Sequence, residues 1–143
     1  MTEQQSRKQL TPADELRAAA AKLRSLTTDA TEGPWHGEDP NTRWGDAYDH
    51  QLVGGGKILA TFNSDYNGPL NADYVAAMHP GVGVVLAQLL DYGVRSYEAS
   101  LEAARRVWGD THDDERRRFT EEQSGLPELL AVARAVLGRT AEG

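Results

Sequence analysis

Residues Asn71-Ala72-Asp73-Tyr74-Val75-Ala76-Ala77-Met78-His79-Pro80, running into Gly81-Val82-Gly83-Val84-Val85-Leu86-Ala87-Gln88-Leu89-Leu90, decide how this chain folds. The short polar side chain of Asn71 can accept from the free amides of a first helical turn, so it predicts a helix over 72–79. Pro80 has no amide hydrogen and stops or bends that helix. Beyond it, Leu86, Leu90, Val94, Tyr97, Leu101, Ala104 and Trp108 recur at three- and four-residue spacing, which predicts one helix over 81–108. Such a helix would be roughly 40 Å long, more than a small domain needs. Part of its face is therefore expected to meet another helix or another copy of the chain.

Working outward, Thr11-Pro12-Ala13-Asp14 is a helix start. Thr11 can cap, Pro12 suits the first helical position, and Asp14 favours the positive end of the helix dipole. Leu16, Ala19, Ala20, Leu23 and Leu26 then form a stripe on a helix over 12–27, which Gly33-Pro34 cannot continue. Residues 35–38 read as a strand and 39–49 as a loop. Gln51-Leu52-Val53, the Gly54-Gly55-Gly56 turn and Lys57 to Phe62 read as a β-hairpin, with Ile58, Ala60 and Phe62 on one face. A sheet this small needs a helix against it. Residues 63–70 read as a turn-rich connection. After the long helix, Thr111 and Asp114 start a charged helix over 112–122. Pro127 opens a final apolar helix that Gly138 ends, with Leu129, Leu130, Ala133, Val136 and Leu137 facing inward. The expected class is α+β: a small antiparallel sheet (hairpin 51–62) packed on helices, with a long central helix at about 81–108. The expected organisation is a mobile arm over 1–10 and a single domain over 11–143.

The chain has 143 residues, 39% of them hydrophobic, and no cysteine. It is long enough to bury a core, and it has no thiolate for a disulfide, a zinc-sulfur site or a nucleophile. Its formal charge is −7, and its only basic cluster, Arg116-Arg117-Arg118, follows Asp113-Asp114-Glu115 at a spacing that lets the charges pair on one helix. Duplex nucleic acid is disfavoured, because such binders present a basic face to the phosphates. The longest apolar run is about half a membrane span and no apolar leader opens the chain, so no membrane contact and a cytoplasmic location are expected.

The chemical motifs are sparse. No His-Glu-x-x-His segment occurs among His36, His50, His79 and His112. Asn63-Ser64-Asp65-Tyr66-Asn67-Gly68 resembles half a calcium loop, but the position that needs a bidentate Glu is Tyr74. Gly54-Gly55-Gly56-Lys57 lacks the spacing and the following helix of a phosphate loop and reads as a turn. The serines have no nucleophile elbow. No catalytic residue, metal site or cofactor is therefore expected. One alternative is a small metal-dependent hydrolase using Asp46, Asp49, His50 and Asp73. The aromatic side chains are more informative, since Trp and Tyr supply rigid contact area with a polar handle. Trp35 reads as core, and Trp44, beside Arg43 in a polar loop, reads as a binding residue.

Gly33, Pro34 and Trp35, then a hairpin, then Asn71, Ala72, Tyr74, Ala76, Ala77 and Pro80, then Leu86, Leu89 and Leu90 resemble the ead-type early accessory proteins of lambdoid phages. Small proteins of actinobacterial phages and prophages are similar. The resemblance covers about residues 12–95 and implies a phage or prophage setting in which small proteins modulate the host. The expected function is a non-enzymatic homo-oligomeric binding module, self-associating through helix 81–108. It would sequester a nucleotide-type signal or a host protein, with Trp44, Arg43, Asn71, Asp73 and His79 as contacts. A structural role in virion assembly is a further alternative.

Overall fold

In the computed structural model, which describes residues 10–39, 50–63 and 67–139, the Asp14 amide donates to Thr11 Oγ1 at 3.2 Å. That cap opens α1 (Pro12–Thr28). Three strands follow, β1 (Trp35–Glu38), β2 (His50–Gly54) and β3 (Lys57–Phe62), then α2 (Asn67–Ala77), α3 (Pro80–Trp108), α4 (Asp113–Ser124) and α5 (Leu126–Val136). The fold is α+β, with α3 as the long helix. All of the expected arm except Leu10 lies outside the described residues. The chain divides into two compact units, one holding residues 1–23 and 86–143 and the other residues 24–85.

The first unit is helical. Leu16 of α1 and Leu90 of α3 are fully buried, together with Ala19, Ala87 and Ala133, and Val94 is nearly so. Leu129, Leu130 and Val136 of α5, and Leu137 just beyond it, pack onto this cluster, as their spacing predicts. Burying a leucine contributes about 1.5–3 kcal/mol, so these contacts outweigh helix propensity in holding α1, α3 and α5 together. The carboxylate of Glu15, mostly buried, binds Arg134 at 3.1 Å and Arg139 at 3.3 Å and ties α1 to the end of α5. Leu90, Val94 and Ala104 of the long helix's apolar stripe are buried within the chain. The stripe on α1 is shorter than expected, because Leu26 is exposed.

The second unit carries the sheet, in the antiparallel order β1-β2-β3. Gly55 and Gly56 have φ of 58° and 74°, the pair of positive values that a two-residue hairpin turn of matching twist requires. Leu52 pairs with Ala60 but Val53 pairs with Ile58, so Leu59 is an extra residue in β3. This bulge reverses the alternation. Ile58 leaves the face that Ala60 and Phe62 occupy and stands 56% exposed.

Across the sheet, α2 packs on all three strands with Gly68, Ala72 and Ala76 buried at four-residue spacing. This helix begins at Asn67, so Asn71 lies inside it and is not its cap. The displacement has two causes. Pro69 sits in the first turn, where its missing amide hydrogen leaves no bond unmade. Gly68 lets the helix start against the backbone of Asn63, whose carbonyl oxygen lies where a Cβ would stand. Among the described residues no single helix is long and apolar enough to cross a membrane.

Candidate functional site

The joint between α2 and α3 is built around His79. Its Nδ1 accepts the Gly81 amide at 3.1 Å, and its ring lies flat against Gly33, where a Cβ would come within 2.5 Å of Nδ1. Gly33 and Pro34 from one sequence signature therefore meet His79 and Pro80 from the other. Trp35, the next residue, is half-buried, and its indole Nε1 donates to the Thr31 carbonyl at 3.0 Å. Beside this contact is a cleft of about 510 Å³ lined by Thr27, Thr28, Glu32, Pro34, His79 and Val84. It offers a carboxylate, an imidazole and two hydroxyls, and both hydroxyls donate to the Arg24 carbonyl, at 3.2 and 2.7 Å. Replacing Gly33 by alanine should displace the imidazole and cost about 1–2 kcal/mol. Chemical denaturation checks this. The same change in a His79→Ala background should cost measurably less, because the obstructing ring is gone.

Asp73 and His50 approach each other over Gly37. The position of a Cβ on that glycine is 2.5 Å from Asp73 Oδ1 and 2.9 Å from His50 Nε2, and Nε2 is buried with no hydrogen-bond partner among the described residues. Ala72 and Ala76 point to the sheet, so Asp73 and Asn71 flank opposite sides of that stripe and Asn71 does not join the pair. Arg43, Trp44, Asp46 and Asp49 lie outside the described residues. Among the described residues no group of three or more His, Asp or Glu side chains converges to hold a metal.

A second concavity, of about 360 Å³, lies in the helical unit between α3 and α4. Pro12, Leu101, Ala104 and Leu126 supply apolar walls, and Arg105, Arg116 and Arg117 stand around them. Glu121, Asp113 and Tyr97 complete the lining. Trp108 and Phe119 hold α4 on α3 by an edge-to-face contact, 5.5 Å between ring centroids. Arg116 and Arg117 do pair at i,i+3 spacing, with Asp113 and Asp114. Even so, Arg116 is not a solvated surface charge, because its side chain is only 23% exposed. Its place here depends on α4 folding back, and the apolar Trp108 and Phe119 in a charged stretch are the only sequence signal of that.

Burial, and secondarily the Glu121 carboxylate, push the Tyr97 phenol above its usual value of 10.0. A phenol raised in the folded state favours folding of the protonated form. Its contribution is complete below the unfolded value near 10 and is lost as pH climbs through the higher folded value. The denaturation midpoint should therefore fall above about pH 10, and Tyr97→Phe should flatten that fall. Alkaline denaturation curves of the two chains check this.

Comparison with protein-family models, with curated proteins and with solved structures gives no match to this chain.

Proposed function

We propose that the chain is a non-enzymatic, homo-oligomeric binding module of phage or prophage accessory type, which modulates its host by sequestering a small ligand or a host protein. One observation carries the assembly. The outer side of α2 and the start of α3 bear Leu70, Tyr74, Met78, Val84 and Val85, all exposed, with Tyr74 at 71%. Since the opposite side of α2 is already spent on the sheet, this helix is apolar on both sides, which a lone surface helix is not. No Asp, Glu, Lys or Arg occurs over residues 74–90. In a chain of net charge −7, copies repel each other over most of their surface, and this uncharged stretch is where two can approach. A second copy presenting the same patch would cover it by two-fold symmetry. The accessory setting rests on the ead-type resemblance, whose two segments are in contact at Gly33 and His79.

Tyr74→Glu places a charge in the middle of the face and should convert the oligomer to a folded monomer, as read by light scattering, with a thermal midpoint lowered by the lost association. A wild-type chain that is already monomeric and instead adheres to neutral lipid vesicles would overturn the reading. A large ordered particle would favour the assembly-component alternative. The convergence of His50 and Asp73 over Gly37 favours a second reading, the metal-dependent hydrolase. Elemental analysis of the purified protein separates the two, since stoichiometric zinc or manganese would support the hydrolase.

A further inference from the structure

We infer that the cavity between α3 and α4 binds a small organic oxyanion, a phosphate or carboxylate group carried on an apolar or planar body. This rests on the binding-module reading and names the ligand class for it. The chain as a whole is acidic, yet three guanidinium groups meet here against the carboxylates of Asp113 and Glu121. Arg116 is held at both ends: one terminal nitrogen donates to the Gly109 carbonyl at 2.9 Å and the other pairs with Asp113. Held in this way, the guanidinium is a fixed part of the wall, and its charge is matched by Asp113. Its Nε is buried with no partner among the described residues. Asp113 is committed to Arg116 and Asp114 to Arg117. Arg105, on the opposite wall, has no hydrogen bond or ion pair to its guanidinium among the described residues. It and Glu121, whose carboxylate acts on Tyr97, are the two lining charges that no ion pair commits among the described residues, and Arg105 is the cation of the two.

Below the arginines the walls are hydrocarbon: Leu101, Ala104, Leu126 and Pro12. An inorganic ion would leave those walls in contact with water, whereas a ligand with an apolar or planar body covers them. The volume of about 360 Å³ is enough for a small molecule, since such sites run upward from about 300 Å³. Tyr97 adds a phenolic hydroxyl that can donate to the oxyanion or to a polar edge of the body.

The test is isothermal titration of the full chain with phenyl phosphate, benzoate, adenosine 5′-monophosphate and inorganic phosphate. At least one of the three organic anions should bind, inorganic phosphate should bind at least about tenfold more weakly, and the organic anion preferred shows which oxyanion the site takes. Arg105→Gln removes an unpaired exposed charge and should fold normally, yet weaken binding about tenfold. Arg117→Gln is the second variant. Failure of all three organic anions, equal affinity for inorganic phosphate, or unchanged affinity in both variants would overturn the inference. Tyr74→Glu lies in the other unit, so it should bind the same anion. An oligomer that binds none of the anions sinks the ligand site alone, and a monomeric wild-type chain that binds one sinks the self-association alone.

Discussion

Gly68→Ala should lower the unfolding free energy by about 3 kcal/mol or more, among the largest effects of any single methyl in this chain. A Cβ at this position overlaps the carbonyl oxygen of Asn63, and the carbonyl carbon lies close behind it. The obstacle is backbone, so no side-chain rotation relieves it. Either the start of α2 lifts from the end of β3 or the helix loses its first turn. Both outcomes pull Ala72 and Ala76 off the sheet, which has little else to bury. Alanine is favoured over glycine inside a helix by about 1 kcal/mol, but that gain is smaller than the overlap. Gly93→Ala is the control. Its Cβ would meet Leu129 Cδ1 at 2.5 Å, the far end of a flexible side chain that can turn away. Its net cost should stay within about 1 kcal/mol. Urea denaturation followed by circular dichroism ranks the two, and a Gly93→Ala chain less stable than Gly68→Ala would contradict the packing described here.

Leu90→Ala should cost about 3 kcal/mol, within the 2–5 kcal/mol range of such truncations. Leu90 is 0% exposed and sits among Leu16, Ala19, Ala20 and Ala87. Its small neighbours are why the loss is large. Alanines have no side-chain freedom with which to fill a void, so most of the cavity persists. Leu89→Ala, one residue earlier on the exposed side of α3, should cost far less, since that side chain is already nearly half in water. Equal losses at the two positions would mean that α3 is rotated from the orientation seen here.

Much of this architecture was legible in the residues. Thr11-Pro12, Pro127 and Gly138 are local signals with local causes, and the helices they bound begin or end beside them. The Gly54-Gly55-Gly56 turn is equally local, and it places both strands of the hairpin. The start of α2 was not legible, because Gly68-Pro69 reads as a turn until the approach of Asn63 shows why glycine is needed there. Ile58 was misplaced for a similar reason, since a one-residue bulge at Leu59 leaves no mark on an apolar alternation. Of the expected contacts, Asp73 and His79 take part in defined packing. Asn71 faces away from Asp73, and Trp44 and Arg43 fall outside the described residues. The arginine-rimmed cavity could not be read in advance, because Arg105 and Arg116 belong to different helices and come together only when Phe119 packs on Trp108.

The central claim is that an acidic chain with an uncharged, apolar helical face completes itself with a second copy. Sedimentation equilibrium of the full-length chain across a wide concentration range tests it most directly. The expected mass is at least twice that of the 15.6 kDa chain, reduced towards a single chain by Tyr74→Glu. A wild-type mass of 15.6 kDa at every concentration would contradict it.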